Sequence, residues 1–337
     1  MRCPCSLAVL VSVVAAVSSA TADEGMWLFN NPPLQQFKEK YQFEPTAQWL
    51  QHLQRSSVRF NSGGSGSFVS STGLVITNHH VGFDTLQKVS SEKNNYVRDG
   101  FHAKTHKDEV KATDLELNVL ISIDDVTGRV NEAVRPGMAA DEAAKARANA
   151  IAQIEKASRE ETGLRSDVVT LYQGGVYNLY RYKRYDDVRL VFAPEEQIAF
   201  FGGDPDNFEY PRFTLDICIF RVYENGQPAK IEHFLKWNPK GPGDGELTFV
   251  SGHPGRTDRQ LTVSELAELR DREVPYLLSM YNRREVLLHS FANEGFESAR
   301  RVQDDVRSVE NNRKRYGGYL AALLDPEVWR AIEEREK

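Results

Sequence analysis

The segment Ser70 to Phe83, with the sequence SSTGLVITNHHVGF, is the stretch from which the fold is most readily inferred. A turn at Thr72-Gly73 leads into the apolar stretch Leu74-Val75-Ile76-Thr77, which is typical of a strand. This run ends at two adjacent histidines, His79 and His80. Two histidines in a polar loop are the ordinary interpretation. The alternative hypothesis is a histidine general base at the rim of a β-barrel.

Length and composition set the first limits on the class of protein. The chain has 337 residues, of which 40% are hydrophobic and 27% charged, as in ordinary globular proteins. This length favours about two domains. The formal net charge is −6, and the lysines and arginines are dispersed along the chain. The sequence therefore gives no indication of a nucleic-acid partner.

The first 22 residues have the pattern of a secretory signal peptide. Arg2 precedes the apolar run Leu7 to Val17, which is followed by Ala20-Thr21-Ala22. A positive start, a short apolar core and an A-x-A site are the three parts of such a signal, so we predict cleavage after Ala22. The apolar run is too short for a transmembrane segment. The pattern predicts export to the periplasm or the extracellular space.

Cysteine usage agrees with a chain that folds without disulfides. Cys3 and Cys5 would leave with the signal peptide, so that Cys218 alone remains. A single cysteine cannot form an internal disulfide, and stability must come from a packed core. Cys218 lies inside an apolar run, which favours a core position over a reactive thiol.

The chain alternates between strand-rich and helical stretches. Apolar residues at every second position from Leu115 to Ile123 predict a half-buried strand. Further strands are predicted at 168–172, 177–182, 188–192, 215–223 and 247–250. Residues 132–162 predict an exposed helix, and the chain becomes helical again from Thr257, with Pro275 as a kink or break. We predict a mainly β fold with α elements, in three parts: signal peptide 1–22, barrel region 23–258 and helical region 259–337.

A histidine base needs a carboxylate to orient its ring, and Asp216 is the candidate. Asp216 lies near the head of the apolar run Leu215 to Tyr223. Burying an unpaired carboxylate costs several kcal/mol, and pairing with His80 would remove that cost. The alternative is an Asp that stays in water or caps a turn.

Several motifs together resemble one family. They are Asp23-Glu24-Gly25-Met26-Trp27, Gly73 to His80, Gly202-Gly203-Asp204-Pro205-Asp206-Asn207, and Tyr210-Pro211-Arg212 with Arg221-Val222-Tyr223. In this order they resemble the bacterial dipeptidyl-peptidases of serine peptidase family forty-six, over nearly the whole mature chain. The more general pattern, a histidine after a strand and a downstream Asp before another, resembles the trypsin-like serine proteases.

The resemblance implies a trypsin-like double β-barrel, incomplete in this chain, with an inserted helical cap domain. It implies release of dipeptides from the free N-terminus of peptides. His80 would be the general base and Asp216 its acid partner. Asn207 would bind the substrate's α-amino group beside Phe208, where the family usually has tryptophan. The resemblance implies no cofactor and no metal, and it is compatible with a homodimer.

The family's nucleophilic serine has no counterpart in this sequence. There is no G-D-S-G, G-N-S-G or G-x-S-x-G motif, and Ser251-Gly252 is the nearest serine–glycine pair after a predicted strand. We interpret that pair as a loop. The chain is therefore expected to be the N-terminal part of an exported serine dipeptidyl-peptidase and to be inactive alone.

Two rival hypotheses remain open at this point. A metal site could use ligands among His79, His80, His253, Asp204 and Asp206. The helical H-E-x-x-H spacing of many zinc enzymes and the glycine and terminal glutamate of a calcium loop are both missing, which disfavours this hypothesis. The second rival is an exported peptide-binding module that keeps a catalytically dead, protease-like barrel.

Overall fold

A computed structural model describes residues 25–91, 93–255 and 261–337. Within these ranges eleven strands form one antiparallel sheet. The strands are β1 Ser57–Phe60, β2 Ser65–Phe68, β3 Leu74–Thr77, β4 Phe101–His102, β5 Val110–Lys111, β6 Leu117–Asp125, β7 Arg165–Leu171, β8 Val176–Tyr185, β9 Asp187–Ala193, β10 Cys218–Glu224 and β11 Gln227–Pro228. Their order across the sheet is β4-β9-β10-β3-β2-β1-β6-β8-β7, with β5 added on β9 and β11 on β10. The predicted signal peptide lies outside the described residues.

Helices account for more of the described residues than strands do. They are α1 Leu34–Tyr41, α2 Ala47–Ser56, α3 His79–Val89, α4 Tyr96–Asp99, α5 Thr127–Asn131, α6 Ala140–Thr162, α7 Val263–Glu268, α8 Val274–Ala292, α9 Phe296–Leu324 and α10 Pro326–Glu336. The fold is mixed α and β with a large antiparallel sheet, so the expected β and α elements are both present, and the helices hold a larger share of the described residues than expected. The helices hold more residues because most strands are short: β1 to β5 together hold fewer residues than α9 alone. The trypsin-like double barrel stays a prediction.

The main core lies between the sheet and α3. In β3 half-buried and buried residues alternate, whereas β10 is buried almost throughout, and Val75, Cys218 and Phe220 belong to the core. Phe83 and Leu86 of α3 pack against the same core. Cys218 is a free, fully buried cysteine, which confirms its predicted core position. Burial raises the pKa of its thiol well above the usual range.

The predicted segment 247–250 is not a strand. Phe249 instead packs into an aromatic cluster with Phe37, Phe43 and Trp49, whose ring centroids lie 5.3–5.4 Å from its own. Val250, the next residue, is fully exposed. Apolar character there reflects one ring packed in an aromatic cluster and not a sheet ladder, and a pattern of apolar residues does not distinguish the two.

The predicted helices are present with shifted bounds. The helix expected over 132–162 is α6, which begins at Ala140, because Pro136 and Gly137 (φ +85°) interrupt the chain before it. Pro275 lies in the first turn of α8, directly after a π-helical turn over Leu269–Glu273, so the helical run changes geometry at the predicted position.

The predicted boundary between barrel and helical regions, at residue 258, falls in the undescribed segment 256–260. From Val263 onward the structure is helical, and α8 and α9 pack side by side. None of the helices in the described ranges is long and apolar enough to span a membrane.

Candidate active site

The two histidines begin helix α3 instead of ending strand β3. Asn78 is the residue that precedes the helix, and His79 and His80 occupy its first two positions. Successive side chains on a helix diverge by about 100°, so the two rings face different surroundings. His79 is 1% exposed and packs near Phe83, whereas the His80 side chain is 36% exposed. The sequence did not indicate this helix start.

Strand register brings Asp216 to His80. β3 and β10 are antiparallel with Thr77 opposite Cys218. Asp216 lies two residues before Cys218, and α3 begins two residues after Thr77. The pairing of the strands therefore places Asp216 beside the start of α3. The Nδ1 atom of His80 lies 2.7 Å from Oδ2 of Asp216. The predicted pair is therefore in contact.

Asp216 also receives hydrogen bonds from one backbone N–H and one side chain at the start of α3. Its Oδ1 accepts from the backbone N–H of His80 at 3.0 Å, and its Oδ2 accepts from Nδ2 of Asn78 at 3.2 Å. The first N–H groups of a helix have no intrahelical partner, and a carboxylate there is favoured by the helix dipole. Asp216 thus caps α3 from the segment that precedes β10, while the Asn78 side chain does not cap it. Asp216 therefore both caps α3 and contacts the His80 ring.

Burial and pairing act on Asp216 in opposite directions. Its side chain is 12% exposed, and burial alone would raise the pKa of the carboxyl. The hydrogen bonds from His80 outweigh burial and hold the pKa of Asp216 below its usual range. Asp216 is therefore ionised at neutral pH and can stabilise a positively charged imidazole.

His79 is a buried neutral histidine. Burial, followed by the nearby Arg307 cation, lowers the pKa of His79 to about 4. Within the described part of the chain its Nε2 atom has no hydrogen-bond partner. A ring that cannot readily take a proton near neutral pH is a poor general base, and this separates His79 from its neighbour.

The segment from Phe200 to Arg212, hereafter the Gly-Gly-Asp loop, lies beside His80. Its Phe201 ring is stacked on the His80 imidazole, with 4.0 Å between ring centroids and 18° between planes. No sequence pattern predicted this contact, because the loop has neither the strand nor the helix periodicity of apolar residues. Gly202 has φ +134°, and a Cβ there would lie 3.0 Å from the backbone oxygen of Arg307 on α9. Only glycine fits this close approach without strain.

Asn207 is buried inside this loop. Its Nδ2 donates to the backbone oxygen of Gly202 at 2.8 Å and to Oδ1 of Asn311 at 2.9 Å. Its Oδ1, the atom expected to accept from a substrate ammonium, accepts from Arg212 at 3.0 Å. The residue is 1% exposed, so Asn207 organises the loop. Its predicted contact with a substrate amine stays a prediction.

Phe208 has the opposite placement. Its side chain is 58% exposed, and its backbone has φ +64°, in the left-handed region that bulky residues rarely adopt. Such strain is held by surrounding contacts and is typical of binding sites. The exposed ring is compatible with the predicted wall of a substrate site.

One ion pair and several hydrogen bonds hold the loop in place. Arg212 donates to Oδ2 of Asp204 at 3.0 Å, and Oδ1 of Asp204 accepts from the Gly202 N–H at 2.9 Å. Lys314 of α9 donates to the backbone oxygens of Asp204, at 3.1 Å, and Pro205. Both carboxylate oxygens of Asp204 therefore accept hydrogen bonds from groups of the protein itself.

One side-chain group in the described residues has the composition of a metal site. Ligand atoms of Glu285, His289 and Glu310 all lie within 4.8 Å of one another. His289 Nε2 is 3.0 Å from Oε1 of Glu310, and Arg313 pairs with Glu285. These contacts make the group an ion-pair network between α8 and α9. The sequence did not single out these residues.

Ser251 lies beside the start of β1. Its hydroxyl accepts a hydrogen bond from Ser57 at 2.9 Å. The neighbouring His253 donates its backbone N–H to Ser65 at 2.7 Å and packs near the rings of Phe29 and Tyr182. Both residues thus belong to the junction between β1, β2 and the 249–255 segment.

An imidazole bonded through Nδ1 to a buried carboxylate is the general-base pair of hydrolases that activate a nucleophile. Residues 22–337 match the family model Peptidase S46. The chain belongs to this peptidase family, which confirms the resemblance seen in the sequence.

Curated relatives carry matching names. The chain is 33% identical to a dipeptidyl-peptidase 7 of Capnocytophaga gingivalis over 256 residues, which are 71% of this chain and 36% of the relative. It is 28% identical to an Asp/Glu-specific dipeptidyl-peptidase of Shewanella putrefaciens over 347 residues, which are 98% of this chain and 47% of the relative.

The fold is also found in a solved structure. The crystal structure of Porphyromonas endodontalis DPP11 in complex with the dipeptide Arg-Glu superposes with a TM-score of 0.77 at 25% identity, over 93% of this chain and 48% of that chain. The chain spans about half or less of the length of the relatives it matches.

Proposed function

We propose that this chain is the N-terminal part of an exported serine-type dipeptidyl-peptidase that removes dipeptides from the free N-terminus of peptides. The observation on which this depends most is the 2.7 Å contact between His80 Nδ1 and Asp216. Membership of the Peptidase S46 family and the names of the relatives support the reaction class. The signal pattern in residues 1–22 supports export. The family match begins at the end of this pattern, at residue 22.

His80 is the general base in this proposal. Because an ionised carboxylate only accepts, Nδ1–H of His80 donates to Asp216 and the lone pair lies on Nε2. Nε2 takes the proton from the serine hydroxyl as the oxygen attacks the peptide carbonyl, and later gives it to the leaving amine. Asp216 keeps the ring in this tautomer and stabilises the imidazolium between the two steps.

The attacking serine comes, in this proposal, from a segment that the sequence does not contain. None of the usual serine motifs is present in the 337 residues. The hydroxyl of Ser251, the nearest candidate in the sequence, accepts a hydrogen bond from Ser57 beside the start of β1. We call this chain together with a following segment that bears the serine the complete peptidase.

The Gly-Gly-Asp loop forms the amine end of the substrate site in this proposal. Phe208 supplies an exposed aromatic wall, and a cation near a ring face is stabilised by the ring's quadrupole. The oxygen of Asn207 has two lone pairs, and Arg212 uses one of them. The second is the acceptor proposed for the ammonium, with the dipeptide length set by its distance from the serine.

The test compares residues 23–337 with the complete peptidase on dipeptide-linked fluorogenic substrates. We expect release of dipeptides from the complete peptidase only, because base and nucleophile act as a unit. The gene should continue past Lys337 into a Gly-x-Ser-Gly segment. Turnover by residues 23–337 that a serine-directed inhibitor abolishes would place the nucleophile in this chain. A stop codon after Lys337, with measurable peptide affinity and no turnover, would favour the peptide-binding module.

A further inference from the structure

Phe201 makes the closest ring contact with His80 among the described residues. The centroids are 4.0 Å apart and the rings are inclined by only 18°. The hydrogen bond to Asp216 fixes one edge of the imidazole, but a ring held at a single nitrogen can still tilt about that bond. A second ring lying flat against the imidazole restricts this tilt. The two contacts together define both the edge and the plane of the base.

The stacked face also suits the charge that the base acquires. When His80 takes a proton, the imidazolium lies over the negative face of the Phe201 ring, which is a cation–π contact. Arg212, whose guanidinium carbon lies 5.3 Å from the centroid of the same Phe201 ring, is paired with Asp204. The positive charge of Arg212 is thereby compensated beside the site.

Phe201 belongs to the loop that also contains the proposed amine-binding residues. It directly precedes Gly202, whose backbone oxygen accepts from Asn207. Arg212 contacts the Phe201 ring and bonds to Asn207 at 3.0 Å. A displacement of the loop therefore moves the ring on which His80 rests.

We propose that Phe201 is a positioning residue for His80, and that through it the Gly-Gly-Asp loop sets the plane of the base. The inference rests on the proposed function in one respect, namely that His80 is the base. An ordered loop holds Nε2 towards the serine, and a loose loop lets the ring tilt. Catalysis in this way depends on the order of the loop that recognises the substrate amine.

The first experiment needs no catalysis and uses the chain as it is. Ring protons of His80, observed by NMR in histidine-labelled protein, are shifted upfield by a ring stacked at 4.0 Å. Phe201→Leu should move these signals downfield. Phe192→Leu is the matched control, because the Phe192 ring lies outside the loop and beside another histidine, His102, with 6.0 Å between ring centroids. Identical His80 signals in wild type and Phe201→Leu would show that the rings are not stacked in solution, and would overturn the inference.

The second experiment measures kcat and KM of the complete peptidase. Phe201→Leu should lower kcat about tenfold, the largest factor that an aromatic pair usually contributes, with a smaller change in KM. Phe201→Tyr keeps the ring and should restore kcat. Equal loss in both variants, or wild-type kcat in Phe201→Leu, overturns the positioning role. The result for His80→Ala separates the two hypotheses, because activity retained in that variant overturns the proposed function itself.

Discussion

The His80–Asp216 pair and the Gly-Gly-Asp loop lie side by side, yet different kinds of contact determine their positions. The pair is fixed by the backbone: β3 and β10 are in register, and α3 begins where Asp216 can cap it. The loop contains neither strand nor helix and is held by side chains, some of them from α9 more than a hundred residues away. Defects of different kinds are therefore expected in the two regions. Changes at the pair, or at Phe201 on which His80 is stacked, should act on the chemical step, and changes at the residues that hold the rest of the loop should act mainly on substrate binding.

The largest expected effect is at the base. In the complete peptidase His80→Ala should lower kcat/KM for dipeptide release by at least about four orders of magnitude, because the serine loses its proton acceptor. His79→Ala is the matched control and should retain far more activity, since His79 is buried and neutral. Equal losses, or loss only with His79→Ala, would contradict the assignment.

Asp216→Asn should have the next largest effect. The amide keeps the shape but can leave His80 in the wrong tautomer, a change worth about four orders of magnitude in kcat in the Ser-His-Asp template. The amide oxygen can still accept the His80 N–H, so we expect thermal unfolding of the chain to change little. Turnover close to wild type would mean that Asp216 serves only as the cap of α3.

The free energy of unfolding should decrease at mildly acidic pH, before the carboxylates become protonated. Burial lowers the pKa of His79 to about 4, whereas a histidine in an unfolded chain titrates near about 6.5. Between these values the unfolded state binds a proton that the folded state does not. The free energy of unfolding therefore falls as the pH decreases from about 6.5 to 4, by roughly 3 kcal/mol for this residue.

Urea unfolding at a series of pH values measures this dependence. His79→Gln should reduce the slope, and His106→Gln, a change at an exposed histidine, should leave it unchanged. His253, whose pKa burial also lowers to about 4, should keep part of the slope in the His79 variant. Equal slopes in wild type and His79→Gln would show that His79 is not buried and neutral.

Asn311→Ala tests the loop and should have the smallest effect of the four. It leaves Nδ2 of the buried Asn207 with one partner fewer, at a cost of about 1–3 kcal/mol to the ordered loop. We expect KM to rise about tenfold in the complete peptidase, with a smaller fall in kcat. Asn312→Ala is the control, because that side chain bonds to its own helix at Ser308. A fall in kcat with unchanged KM would contradict the division between pair and loop.

The sequence was sufficient for the backbone-determined region. The alternating run of β3 and the apolar run of β10 predicted two strands, and their pairing then brings Asp216 to His80. The bounds were less accurate. β10 begins at Cys218 and not at Leu215, because the Leu215 N–H bonds to Ile198 outside the sheet. The helix start at His79 was also missed, since its cap is Asp216, 137 positions away, and not a neighbouring residue.

The sequence was insufficient for the loop. Glycines 202 and 203 and the following acidic residues indicated a special segment, but not what surrounds it. The contacts that matter there, Phe201 on His80 and Asn207 on Asn311, join residues far apart in the chain with no periodic pattern. Such contacts depend on tertiary packing, which propensity and spacing do not encode.

Asp216 both caps α3 and contacts His80, and the two contacts differ in which substitutions at position 216 they allow. A library of variants sorted only by cellular abundance should accept Asn, Ser or Thr at position 216, because each can accept the hydrogen bond from the His80 N–H. The same library sorted by turnover should accept aspartate almost alone. A copy of the gene whose product is no longer under selection for catalysis would therefore keep a capping residue at this position after the other site residues had been substituted.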